Sequence, residues 1–360
     1  MSNQPGGPTA AQPDRPQTTD EVAADGPDPA PTQDADGSVE LLSDAADGSA
    51  PPPRAPGTLG LALLATGWLA AMLWSTREAI QSATAGVTAI SLSAFALPGV
   101  ISAALVAGAA VGLAVSEPVT RRGDRATLRF AVAVGVGLLV GLAAALAIEL
   151  SYDGNTTTRT IAGTTAAAAV IGGALAGARN GAVIGAVVSA ALGTLLFVVG
   201  FSVARDPLFN LFGAGDSQQS LVSAATWVSR TESLLAGLLA GLLAFGYLTW
   251  ARRRAARRDS TVTTLRWPAY LVAGAGPGLL LLLAEVIIRV GGRSLIDLAA
   301  ALSEADAVAQ TSLGTSRVDN GIWVLFVGAL TAMIIFGRTL SPAPETDPEP
   351  AEPAEAGAAR

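Results

Sequence analysis

Residues 130–150 read FAVAVGVGLLVGLAAALAIEL, without one polar side chain before Glu149. Hydrocarbon offers a backbone no hydrogen-bonding partner, so a segment inside it must be a helix or a strand of a closed barrel. A barrel strand alternates apolar and polar residues; this run does not. Its length falls within the roughly 17–25 residues a membrane helix needs. It reads as a transmembrane helix.

Seven further runs of this kind lie around it. They cover residues 57–75, 95–115, 161–178, 181–204, 233–250, 267–288 and 321–337. The run at 161–178 is the poorest in large side chains, with only Ile161, Val170, Ile171 and Leu175 among Ala, Gly and Thr. Charge tests whether it crosses. Arg121, Arg122, Arg125 and Arg129 precede the 130–150 run, and Arg252, Arg253, Arg254, Arg257, Arg258 and Arg266 lie between the sixth and seventh runs. The positive-inside rule puts both clusters in the cytoplasm, which requires an even number of crossings between them. Four result only if 161–178 is one of them. Both termini are then cytoplasmic, and the expected location is the cytoplasmic membrane.

Composition agrees with this topology and excludes much chemistry. Of the 360 residues, 51% are hydrophobic and 14% charged, against about 25% charged in an ordinary soluble domain. Mean hydropathy is +0.48. Cysteine and histidine are absent, and all 22 basic residues are arginine. No disulfide, Cys/His zinc site, Ser-His-Asp triad, cysteine nucleophile, Walker-A lysine or Schiff base can be built from this chain. No cofactor, resident metal or enzymatic activity is expected. Lysine-free usage rich in Ala, Gly and Arg suggests high-GC coding and a bacterial cell membrane.

The net charge of -7 misleads unless it is divided. Residues 1–54 and 341–360 together hold 3 Arg against 15 acidic residues, whereas residues 55–340 hold 19 Arg against 14. Segments 1–55 and 341–360 are rich in Pro, Ser, Thr and acid and poor in large apolar side chains. They cannot bury enough surface to offset ordering entropy and are expected to be disordered tails. The fold expected is therefore all-α, a polytopic transmembrane bundle of about eight spans over 56–340.

Candidate sites are few. Glu285 precedes Arg289 by one helical turn, the favourable order for an ion pair on one helix face, with Arg289 placed to extend towards water. Glu149 sits at a similar level at the outer end of its span. Ionisable residues at membrane depth are the default markers of a substrate or ion site. Pro277, within Gly-Ala-Gly-Pro-Gly at 274–278, removes a helical hydrogen bond and predicts a kink or local unwinding. Broken helices line the sites of many transporters. Arg252, Arg253, Arg254, Arg257 and Arg258 are expected to contact anionic lipid headgroups; topology explains them without nucleic acid.

Glycines four apart recur at 108/112, 137/141, 173/177, 181/185, 237/241 and 274/278. Such faces permit close helix packing, within one protomer or in a homo-oligomer. Between the spans, residues 79–92, 207–228 and 294–310 carry apolar residues rather than plain polar loops. Leu295, Leu298, Leu302, Ala305 and Ala309 follow helical spacing. Trp68, Trp74, Trp250, Trp267 and Tyr270 fall near span ends, as an aromatic belt would.

Two functions are compatible with these features. One is a cell-envelope scaffold or accessory protein that holds membrane or envelope partners with its outer amphipathic segments and cytoplasmic tails. The alternative is a small-molecule or ion permease with its site near the kinked seventh span.

Overall fold

The computed structural model describes residues 55–82, 86–120, 126–151, 156–178, 180–213, 215, 217–257 and 265–339. The expected tails at 1–54 and 341–360, and Arg121, Arg122, Arg125, Arg179 and Arg258, lie outside the described residues.

Among the described residues there are ten helices and no strand: α1 (Thr58–Gln81), α2 (Gly86–Thr120), α3 (Ala126–Ser151), α4 (Thr156–Ala176), α5 (Gly181–Val203), α6 (Arg205–Leu211), α7 (Gln218–Ala256), α8 (Trp267–Gly291), α9 (Arg293–Leu302) and α10 (Glu304–Arg338). All but α6 and α9 are long and apolar enough to cross a membrane. Hydropathy locates only the lipid-depth part of each helix, so three helices begin well before their apolar runs. Two of these starts have visible caps: Ser217 accepts from the Ser220 amide at 3.2 Å, and Ser303 from the Asp306 amide at 3.2 Å. Each cap satisfies one orphan donor of the first turn. At 39 residues, α7 is about 58 Å long, twice the roughly 30 Å hydrocarbon core.

The helices pack through small residues at backbone distance. A Cβ on Gly108 of α2 would collide with the Ala169 carbonyl of α4, and one on Gly172 of α4 with the Leu105 carbonyl of α2. Gly274 of α8 and Gly328 of α10 approach one another in the same way. Lipid supplies no hydrophobic drive between helices, so dispersion at such close approaches holds them together. The glycine pairs of the sequence are largely used inside the protomer.

These contacts also fix helix direction. Thr58 meets Glu117 and Met72 meets Gly99, so α1 and α2 oppose one another. Gly108 and Gly112 face Ala169 and Gly173, making α2 and α4 parallel, while Gly137 and Gly141 face Gly173 and Ala166, making α3 and α4 antiparallel. In the rest of the chain α10 opposes α8, with Gly274 on Gly328 and Gly278 on Leu325, and runs parallel to α7, with Gly237 on Val327 and Gly241 on Thr331. Gly185 on Tyr247 and Gly193 on Leu243 set α5 against α7. The eight long helices therefore alternate in direction along the chain.

A four-plus-four order emerges. In α1–α4, and again in α5, α7, α8 and α10, the fourth long helix lies parallel to the second and antiparallel to the third, and the first packs on the second. The halves meet along α2, which touches both α5 and α8. Accordingly α2 has 67% of its span buried, against 22% for α1 and 28% for α3. The outer faces of those two carry large exposed side chains such as Leu63, Leu139, Leu146 and Leu150. Such a surface suits an apolar surrounding, in keeping with eight helices that are each long and apolar enough to cross a membrane.

Two local expectations change. Tyr270 is fully buried rather than part of a belt, stacked on Phe336 with ring centroids 4.6 Å apart. Trp68 packs partly buried against the core, while Trp74, Trp250 and Trp267 remain exposed. The stripe over 294–310 is interrupted at Ser303, whose extended backbone (φ -151°, ψ 121°) separates α9 from α10. The buried face of α9 is Leu295 and Ala299, with Leu298 and Leu302 exposed.

Gly108→Val should lower stability by about 1–3 kcal/mol, because the neighbouring backbone cannot retreat. Gly135→Val, at a position where a Cβ would meet nothing within 4 Å, should stay within about 0.5 kcal/mol. Thermal unfolding in detergent compares the two.

Candidate functional site

The functional residues group at the two ends of the bundle and at one point between. The end that carries Arg129, Arg252–Arg254, Arg257, Arg266 and Arg338 is termed the arginine end, and its opposite the far end.

At the far end, α8 and α10 converge on Glu285. Its side chain is 6% exposed and held from two sides. Arg289 Nε, one turn along α8, donates to Oε1 at 3.0 Å, and Arg317 Nε of α10 donates to Oε2 at 2.9 Å. Each carboxylate oxygen thus receives a charge-assisted hydrogen bond, and the cluster carries one net positive charge. Arg289 is 60% exposed and Arg317 28%, so Arg317 is the deeper partner. Gly314 lies beside the cluster: a Cβ there would lie 3.6 Å from Glu285 Oε1 and 3.7 Å from Arg317 Nη2, in ordinary van der Waals contact with both. One turn before it, Gln310 is buried with its Nε2 unpartnered.

The i,i+4 pair Glu285–Arg289 is present as its spacing requires, with Arg289 directed outward. Spacing offers no reason to choose Arg317, because a rule for neighbours on one helix says nothing about a residue 32 positions away. The available signal was the row Gln310, Gly314, Arg317, Gly321 on one face of a helix whose apolar run starts only at 321. Glu149 is not part of this cluster. It is half-buried on α3, in the other half, with no hydrogen bond or ion pair to Glu285.

Between the ends, α8 stays helical through Pro277, and no unwinding accompanies it. Gly274, Gly276 and Gly278 let α10 and Val187 press against this stretch. The space beside Pro277 is about 10 Å³, bounded by α2 and α5 and reached by the hydroxyl-bearing residues Ser102 and Thr194. That is room for about one water.

At the arginine end, the segment before α1 enters the bundle. Ala55 is 3% exposed and packs among Leu113, Ala133, Ala176 and Ile184, from α2, α3, α4 and α5. The Tyr247 hydroxyl of α7 donates to the Pro56 carbonyl at 2.7 Å. Thr58 Oγ1 donates to Glu117 Oε2 at 2.9 Å. Gly57 turns the chain with φ 70°, a left-handed conformation natural to glycine, beneath the Trp250 ring. Five helices therefore grip the start of the bundle.

The arginines around this anchor differ in role. Arg252 turns inward and its Nη1 donates to the Tyr270 hydroxyl at 3.0 Å. Arg254 lies over the Trp250 ring, 5.8 Å from its centroid, and Arg253 and Arg257 are exposed. Arg129 Nη2 donates to the Ala176 carbonyl, at the C-terminus of α4, at 3.5 Å. Three of the expected headgroup contacts are therefore free to face lipid, and Arg252 serves the interior.

Comparison with protein-family models, with curated proteins and with solved structures finds no match to the chain.

Removing Glu285's charge leaves two arginines facing one another. Glu285→Gln should cost about 3 kcal/mol, as breaking a buried pair does. Arg289→Gln should cost under about 1 kcal/mol, as an exposed pair does. A double-mutant cycle measured by denaturant unfolding should give a larger coupling for Glu285 with Arg317 than with Arg289.

Proposed function

We propose that the chain is a non-enzymatic scaffold or accessory protein of a bacterial cytoplasmic membrane. It holds protein partners with its acidic tails and with the helical segments that project at the far end. The observation that supports this reading is the anchoring of the chain at 55–58. A tail that only decorated the bundle would need no more than a loose join. Here residues 55–58 are gripped by five helices at the seam of the two halves, so a load on the N-terminal tail is borne by the whole bundle.

The orientation follows from charge. In the sequence, twelve of the nineteen arginines in 55–340 fall within or beside the connections on the side of the bundle where α2 ends and α3 begins, and the positive-inside rule assigns that side to the cytoplasm, with both tails. Arg253, Arg254 and Arg257 then face anionic headgroups. At the far end, α6 and the first turns of α7 and α10 expose Leu211, Val222, Trp227, Val308 and Leu313, an amphipathic surface for a membrane or envelope partner.

The second reading is a small-molecule or ion permease. The buried Glu285 with its two arginines favours it, as does the small, mainly apolar gap beside Pro277 that Ser102 and Thr194 reach.

The absence of cysteine makes the first test clean. Ala23→Cys and Ala351→Cys variants should react only from the cytoplasmic side, and Ser312→Cys only from outside. Affinity purification should then recover a stable partner with the full chain and lose it when the tails are deleted. If the chain instead carries a flux that collapses in Glu285→Gln, and no partner depends on the tails, the permease reading replaces the scaffold.

A further inference from the structure

The two halves differ in one place that their shared order makes visible. In the second half the first and third long helices meet, with Val187 of α5 against Gly276 of α8. In the first half the corresponding helices, α1 and α3, flank a groove of about 230 Å³. Its floor is Val100 of α2, Ile148 of α3 and Ile161 of α4, all buried in the bundle. Its wall on α1 is Ala70, Leu73 and Ile80. It is an open groove between α1 and α3 whose apolar floor reaches the central helix.

Polar groups border the slot at the far end only. Arg77 lines it, with its guanidinium 5.9 Å from the centre of the Trp74 ring. No carboxylate pairs with Arg77 among the described residues. Thr76 and Ser151 also line the slot; their hydroxyls already donate to the carbonyls of Met72 and Ala147. Each keeps its oxygen lone pairs for an approaching donor. The slot thus offers an apolar body, one cation without a carboxylate partner among the described residues and two hydroxyls at the same mouth.

We propose that this groove binds an anionic phospholipid from the leaflet at the far end, with an acyl chain between α1 and α3 and the phosphate on Arg77. Charge and shape select this occupant. An apolar floor buried around α2 disfavours a polar solute, and an arginine with no carboxylate partner among the described residues favours an anionic over a zwitterionic headgroup. Trp74 supplies an amphipathic ring at the headgroup level. The site lies in the opposite half from Glu285 and does not depend on whether the chain is a scaffold or a permease.

The test uses the full chain purified from membranes, exchanged into mixed micelles with equal phosphatidylglycerol and phosphatidylcholine, and followed by native mass spectrometry. The wild type should retain one phosphatidylglycerol in preference to phosphatidylcholine. Arg77→Gln should reduce that preference about fivefold, the weight of one arginine near an anionic surface, and Arg77→Lys should preserve it. Ala147→Trp, which fills the slot without touching the charge, should remove the retained lipid of either kind. Unchanged helicity and elution position identify folded variants. The proposal is overturned if the wild type shows no preference, or if folded Arg77→Gln and Ala147→Trp retain phosphatidylglycerol as the wild type does.

Discussion

The two halves of this protein are each held together by helices that meet backbone to backbone at glycines. The carbonyl of Gly328 lies against both Gly241 and Gly274, so α10 is held between α7 and α8 with no side chain intervening. The α4 helix is held in the same manner between α2 and α3 by Gly108, Gly137 and Gly172. In an apolar medium this is the available source of cohesion, since burying a leucine gains little when lipid is equally apolar. Small residues therefore occupy the tightest seams, while large ones divide between a buried set such as Leu97, Ile101 and Leu105 and an outward-facing one. The core is rich in alanine for that reason, and the exposed leucines of α1 and α3 are its complement rather than a defect.

Polar groups are placed where this packing ends. Glu285 sits towards the far end of α8, where Arg289 of the same helix and Arg317 of α10 both reach its carboxylate. Tyr247 and Tyr270, at the other end, bond through their hydroxyls to Pro56 and Arg252. A buried polar group is costly unless it is paired, and these pairs join different parts of the chain. Each end is thus fastened by directional bonds, while the middle relies on dispersion.

Most of the fold was legible in the sequence because lipid simplifies the problem. Eight apolar runs became eight long helices, and the arginine parity argument retained the weak 161–178 run, which forms α4. What the sequence could not show was tertiary. Helical spacing linked Glu285 to Arg289, but Arg317 reaches the same carboxylate through a helix crossing that no local period encodes. Pro277 suggested a broken helix, whereas the glycines on either side bring neighbours close enough to support a continuous one. Tyr270 reads as a belt residue by position, but its ring is taken into the core by Phe336 and Arg252. Ala55 carries no signal at all: it is a small residue at the edge of a Pro-rich stretch, and only the packing shows it as an anchor.

The four-plus-four order has a topological consequence. Each half contains an even number of long helices that alternate in direction, so each begins and ends on the same side of the bundle. Two such units joined end to end keep the same orientation, and a rotation about the membrane normal is the only operation that can superimpose them. An odd-numbered unit would instead have to insert in both orientations before its copies could be fused. The passage from α4 to α5 therefore joins two units that already agree in polarity, so neither half has to be turned over to continue the other.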